Sequence, residues 1–245
     1  MNDNFDFKIV DAEGMEILDV IAESHKFNNW MYETIKPYCT GNVLEIGSGI
    51  GNISQFFVDD KFQITLTDIR ENYCDRLRQK FKNNTYVNAI QNMDLVADDF
   101  EQKYASSLNS YQTVFALNVV EHINDDNLAI ANAKKLLKQG GNLIILVPAY
   151  QALYNQFDKS LEHYRRYNKT SLNTLFTNNK LAITRSQYFN CAGILGWYVS
   201  GKLQKNDSIP AGQMKLYNAL VPIFKLVDKV LFNTVGLSVI TVAQK

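Results

Sequence analysis

The sequence predicts an α/β protein with a doubly wound, mostly parallel sheet, and three observations carry that expectation. Short apolar runs at residues 43–46, 62–67, 111–117 and 142–147 alternate with stretches of helical periodicity, the pattern of βαβ units whose sheet is covered on both faces. The first run breaks at once into Gly47-Ser48-Gly49-Ile50-Gly51. A strand that stops in glycines and restarts as a helix makes a tight turn, and a ligand can lie there directly against open backbone N–H groups. Finally, Glu45, Asp68, Asp94 and the string Asn118-Val-Val-Glu121-His122 all fall at the ends of such runs. Those ends are where open α/β sheets bind their ligands.

With 245 residues, 46% of them hydrophobic, the chain suits one domain with a full core. Lys plus Arg and Asp plus Glu are 25 each, so no basic face calls for nucleic acid. Cys39, Cys74 and Cys191 are scattered and odd in number, which shows no disulfide framework or metal spacing and favours a reducing, cytoplasmic setting. The N-terminal residues do not read as a signal peptide, and no apolar run approaches the ~18 residues of a spanning helix.

In chain order, residues 11–36 read as helical. Ile17, Leu18, Ile21 and Ala22 form one apolar face, Phe27, Trp30, Met31 and Ile35 another, and Pro37 closes the stretch. Phe27, Trp30 and Tyr32 cover the sheet or, as the family resemblance carried by the glycine turn implies, a cofactor, which would make residues 1–37 an N-terminal helical lid. A helix starts at residues 52–58, a second strand spans 62–67, and a helix spans 71–82. A third strand at 85–89 leads to a helix around 98–106, and residues 111–117 form the fourth strand. A helix from Asn124-Asp125 runs to about Lys138 and ends in Gly140-Gly141; residues 142–147 form a fully apolar strand stopped by Pro148. Helices at 169–179, 192–203 and 211–232, a sixth strand at 181–189 and a last strand at 237–242 complete the pattern. In the helix at 211–232, Leu220, Ile223, Phe224, Val227, Val230 and Leu231 share one expected face. That face packs on the domain or serves a lipid-like substrate or membrane surface.

The glycine turn admits three readings. The dinucleotide fingerprint wants glycines at 47, 49 and 52, but position 52 is Asn; a Walker loop needs a closing Gly-Lys-Ser/Thr, which is absent. What remains is Glu45-x-Gly47-x-Gly49-x-Gly51, with a carboxylate suited to a cationic or hydroxylated ligand rather than to phosphate. Asp68 follows the first glycine by about twenty residues, where a carboxylate can accept from ribose hydroxyls; it can equally cap the following helix.

This string resembles the first motif of class I S-adenosylmethionine-dependent methyltransferases. The resemblance implies a Rossmann-like, doubly wound seven-stranded sheet, mostly parallel, with the last strand inserted antiparallel between the fifth and sixth positions. It implies S-adenosylmethionine as cofactor and S-adenosylhomocysteine as product. It assigns Asp68 to the ribose and Asp94 to the adenine amino group, with Met93 and Leu95 sandwiching the ring, although Asp94 can also cap a helix. Glu45, Gly47, Gly49, Gly51, Ile69 and Asn118 complete the expected cofactor set. A further string, Val147-Pro-Ala-Tyr150-x-x-Leu-Tyr154, then Asp158 and His163-Tyr-Arg-Arg-Tyr167, resembles a recurrent bacterial subgroup of these enzymes. That likeness continues to Trp197, Pro222 and Gly236-Leu-Ser238 and so spans nearly the whole chain.

Residues 148–180 and 191–233 are expected to form helical caps over the site. Tyr150, Tyr154, His163, Tyr164, Arg165 and Arg166 are the expected substrate contacts, because Arg grips carboxylates or phosphates and Tyr and His bond or shuttle protons. They can equally form a solvated loop whose arginines pair with surface acids. Methyl transfer from a sulfonium is an in-line displacement that needs alignment, dryness and often a base. His122 is the first candidate base and His163 the second. Some quinone O-methyltransferases of this class hold a cation with Glu-x-x-Glu-His; here Asn118 replaces the first Glu, two ligands remain, and no metal is expected. The expected acceptor is a small-molecule or lipid-like partner, at a hydroxyl, with no transmembrane segment but with room for peripheral membrane contact. A non-catalytic or regulatory S-adenosylmethionine binder is the alternative, and a nicotinamide dehydrogenase a distant third.

Overall fold

The structure, a computed structural model, describes residues 22–199 and 211–245. Seven strands form one sheet: β1 (Val43–Ile46), β2 (Ile64–Asp68), β3 (Val87–Asn92), β4 (Tyr111–Leu117), β5 (Leu137–Pro148), β6 (Ala182–Phe189) and β7 (Ser238–Gln244). Their order is β3-β2-β1-β4-β5-β7-β6. The first five pair in parallel, and β7 runs antiparallel to both neighbours, with Ile144 opposite Val242 on β5 and Gln187 opposite Ile240 on β6. This is the expected mixed sheet, and the order reverses between β1 and β4, where such sheets open a crevice.

Both faces are covered, as runs apolar on every residue require. Along β5, Leu143, Ile145 and Val147 join one cluster and Ile144 and Leu146 the other, because successive side chains point to opposite faces. Helix α1 (His25–Ile35) and α2 (Ser54–Asp59) cover the second face with Trp30, Met31, Ile35 and Phe57. Helix α3 (Glu71–Lys80) adds Leu77 to the same side. The short α4 (Phe100–Lys103) and α5 (Asp126–Leu136) pack on the first face, with Asp125 capping α5 by accepting from the Leu128 N–H at 2.9 Å.

Four expectations change. Of the helix at 11–36, α1 is the described part, while Ile17, Leu18 and Ile21 lie outside the described residues. Gly140-Gly141 do not end α5 but sit inside β5, where pairing jumps from Tyr111–Leu137 to Thr113–Asn142; the extra residues form a bulge that Gly140 accommodates at φ +77°. Helix α6 (Gln156–Ser160) lies in the expected cap, but α7 (Lys169–Asn178) does not, because its fully buried Leu172 and Phe176 join the sheet core. The expected helix at 192–203 is α8 (Gly193–Trp197), and residues 200–210 lie outside the described ones.

The last helix, α9 (Ala211–Val230), is turned relative to its expected face. Tyr217, Val221, Phe224 and Asp228 face the protein, whereas Ile223 is 58% and Val230 65% exposed. The cause is Asp228, whose carboxylate accepts from the backbone N–H groups of Asn190 (2.6 Å) and Cys191 (2.8 Å) and draws that side of the helix inward. Among the described residues, no helix is long and apolar enough to cross a membrane.

Candidate active site

One cleft of about 1240 Å³ runs across the carboxyl ends of β1 to β5. Its volume exceeds the roughly 300–1,000 Å³ that holds one drug-sized ligand, so two ligands fit side by side. Glu45, Gly47, Gly49, Asp68, Ile69, Met93, Asp94, Leu95 and Asn118 all line it.

The glycine turn explains the first wall. Gly47 has φ +70°, and a Cβ there would meet Val119 Cγ2 at 2.4 Å, so only hydrogen fits between the turn and the loop after β4. The Gly49 N–H donates to Asp68 Oδ2 at 2.9 Å, and Asp68 Oδ1 accepts from the Arg70 N–H at 2.9 Å. Asp68 therefore braces the turn while keeping lone pairs for a ligand, and its burial pushes its carboxyl above the usual range. Glu45 is buried and accepts from the Ser54 hydroxyl, and desolvation raises its pKa to about 7. Gly51 does not line the cleft: a Cβ there would lie 2.7 Å from Phe81 Cε2 and 3.0 Å from Leu77 Cδ2, so this glycine lets the turn pack on α3.

The second wall follows β3 and β4. Met93 and Leu95 are buried on either side of Asp94, whose Oδ1 accepts from the Val96 N–H at 2.9 Å. Asn118, in the left-handed region at φ +55°, turns the chain out of β4 and donates its N–H to the Leu146 carbonyl at 2.8 Å.

The far end is built by Glu121, His122 and the segment 156–166. The rings of His122 and His163 meet edge to face with centroids 4.6 Å apart. His122 is open to the cleft; the surrounding protein and His163 hold it below the usual imidazole range. His163 Nδ1 lies 2.9 Å from Asp158 Oδ1, the same oxygen that accepts from Arg166 Nε at 2.7 Å. Asp158, fully buried, also accepts from the Asn155 N–H at 3.0 Å and so caps α6. Burial holds His163 below its usual range despite that partner. Glu121 is fully buried, and neither of its carboxylate oxygens has a hydrogen-bond partner; its pKa is pushed up to about 8 by desolvation.

The expected substrate contacts divide. His163, Tyr164 and Arg166 line the cleft. Tyr150 instead stacks on Tyr188 at 5.0 Å, Tyr154 donates its hydroxyl to the His163 carbonyl at 2.7 Å, and Arg165 pairs with Asp126 at 2.7 Å. These three support the cap rather than facing the cleft. Phe27 lines the cleft, but Trp30 and Tyr32 are buried in the core. Sequence reasoning missed Trp197, Asn190, Met214 and Tyr217, which reach the cleft from the second half. It also left Asp158 out of the site residues, although the density of polar and aromatic residues after Pro148 was the available signal, and it weighed Glu121 only as a cation ligand.

Comparisons with known proteins bear on the family and the fold. A family model described as a methyltransferase domain matches residues 44–143. Probable polyketide synthase 42 of Dictyostelium discoideum is 30% identical over 149 residues, covering 51% of this chain and 5% of that protein. The chain thus spans about a twentieth of that relative's length. Phosphoethanolamine N-methyltransferase 2 of Haemonchus contortus, solved with S-adenosyl-L-methionine, superposes with a TM-score of 0.60 at 18% identity over 92% of this chain and 56% of that one. Geranyl diphosphate C-methyltransferase of Streptomyces coelicolor A3(2), solved with Mg2+, geranyl diphosphate and S-adenosyl-L-homocysteine, does so at 0.62 and 12% identity over 92% and 81%.

Proposed function

We propose that this chain, a member of the class I S-adenosylmethionine-dependent methyltransferases, transfers a methyl group to a hydroxyl of a small-molecule or lipid-like acceptor. The observation that carries the reading is a shared cleft. Nine of the ten expected cofactor residues share one part of it, and His122, His163, Tyr164 and Arg166 share the remainder.

The residues fit the cofactor. The Gly47 turn leaves backbone where a Cβ would collide, Glu45 offers a carboxylate to a cationic amino group, and Asp68 offers lone pairs to a ribose. Met93 and Leu95 offer apolar side chains and Asp94 a carboxylate to an adenine ring. S-adenosylmethionine supplies a methyl group already attached to a good leaving group. The chain's own work is to align the acceptor, keep water out and receive a proton. His122, open to the cleft beside His163, is the group placed to take that proton.

Phe157, Trp197 and Met214 also line the cleft and favour a partly apolar acceptor. The outer side of α9, with Leu216, Ile223 and Leu226 exposed, suits contact with a membrane surface that holds one. Free Cys39 and Cys74, both buried, suit a cytoplasmic setting.

The test is calorimetric titration with S-adenosylmethionine and S-adenosylhomocysteine, on the native protein and on Asp68→Ala. We expect micromolar binding of both, weakened by about 1–3 kcal/mol in the variant, which loses the ribose partner and the brace on Gly49. Unchanged affinity in Asp68→Ala would remove that residue from the site, and no binding of either compound would sink the reading. Binding without turnover of any hydroxylated acceptor would favour a regulatory binder.

A further inference from the structure

Counting along the chain gave two ligands for a cation, Glu121 and His122, and the fold supplies a third from 41 residues away. Ligand atoms of Glu121, His122 and His163 all lie within 4.8 Å of one another. Ligands bound at about 2.0–2.2 Å sit some 3–4 Å apart, so small side-chain rotations close the set around one ion.

We infer that Glu121, His122 and His163 form a binding site for a divalent cation of the Zn2+ type, with Asp158 positioning His163. Glu121 is fully buried with neither oxygen hydrogen-bonded, which leaves a costly group that an ion would satisfy. Asp158 takes His163 Nδ1 at 2.9 Å, which leaves Nε2 as the ligating atom. That carboxylate–histidine arrangement is the usual outer support of a ligating imidazole. His122 in turn bonds the backbone of Leu161 and keeps its other nitrogen for the site. Two imidazoles and a carboxylate suit Zn2+, Co2+ or Fe2+, and they do not suit Mg2+, which takes oxygen ligands.

Three protein ligands leave the ion's remaining positions open to the cleft, since His122 and His163 both line it. Held by these residues, such an ion would supply Lewis acidity toward an acceptor hydroxyl in the cleft. This use of the ion rests on the methyl-transfer reading; the binding itself does not.

The experiment is therefore run without cofactor. Chelator-treated full-length protein is titrated with Zn2+ by calorimetry and with Co2+ by visible absorption, with excess Mg2+ present, and S-adenosylmethionine affinity is measured separately on the same samples. We expect one equivalent of Zn2+, visible Co2+ bands without a thiolate charge-transfer band, and a loss of at least about tenfold in affinity in His122→Ala and in Glu121→Gln. His122→Ala removes a side chain open to the cleft, and Glu121→Gln keeps the buried volume, so folding is preserved in at least one; circular dichroism checks it. Asp158→Asn should weaken the ion about 10- to 100-fold, and cofactor affinity should stay unchanged. No stoichiometric binding, equal binding in both ligand variants, or a thiolate band would each overturn the site. Those failures are distinct from a failure of the cofactor titration.

Discussion

Glu45 shows how much one side chain can set. It ends β1 against the glycine turn, fully covered by protein and hydrogen-bonded by Ser54, and folding raises its pKa from 4.5 to about 7. The folded state then holds a proton that the unfolded chain gives up. Its contribution to stability is complete below pH 4.5 and is lost as pH rises through 7, by about 1–3 kcal/mol. Urea denaturation of the ligand-free protein at pH 5 and pH 8 should show that fall, and Glu45→Gln should flatten it. A cationic amino group bound beside the carboxylate prefers its ionised form, so S-adenosylmethionine affinity should rise across the same window in the native protein and not in the variant. A pH-independent affinity in both would place the amino group elsewhere. Asp68 was legible because its distance from the glycines is fixed by one βαβ turn. Glu121 was not, because what marks it is the absence of partners, which appears only once the segment at 163–166 is packed against it.

At the scale of elements, two glycines that look equivalent in sequence, Gly47 and Gly51, do different work. Gly47 faces the ligand cleft and the Val119 side chain, while Gly51 faces Phe81 and Leu77 on the opposite side of the turn. Each has positive φ, so an alanine is strained at either site. Gly51→Ala should cost about 1–3 kcal/mol of folding stability and leave the cofactor affinity of the folded protein nearly unchanged. Gly47→Ala should lower both. Thermal melts with calorimetry on the two variants decide it; a large affinity loss in Gly51→Ala would mean that the turn reaches the ligand through both glycines. Short apolar runs bounded by turn residues mark strands covered on both faces, and β1, β2, β4 and β5 were readable for that reason. Helix α9 was not: periodicity gathered Leu220, Ile223, Phe224, Val227, Val230 and Leu231 on one face, and a buried carboxylate, Asp228, turns the helix away from it. The caps failed to be legible for a similar reason. Tyr150, Tyr154 and Arg165 carry the same chemistry as Tyr164 and Arg166, and only the path of the chain after Pro148 sorts those that face the cleft from those that hold the loop.

For the molecule as a whole, the cleft gathers residues from Phe27 on α1 to Ser238 on β7, so the N-terminal helix, the parallel half and the antiparallel insertion all contribute to its walls. A ligand that binds only the folded chain stabilises it by mass action, about 2.7 kcal/mol at a hundredfold excess over Kd. In a chain of 245 residues, each kcal/mol moves the midpoint by roughly 2–4 °C, so the expected rise in Tm is about 5–10 °C. S-adenosylmethionine and S-adenosylhomocysteine should both produce it as one cooperative transition, because no part of the described fold completes the cleft by itself. NADH should produce none, since Asn52 stands where the dinucleotide fingerprint needs glycine and Glu45 would face a phosphate. A shift with NADH and none with the sulfonium compounds would reverse the cofactor assignment. A shift confined to one of two separate transitions would mean that the second half folds apart from the site.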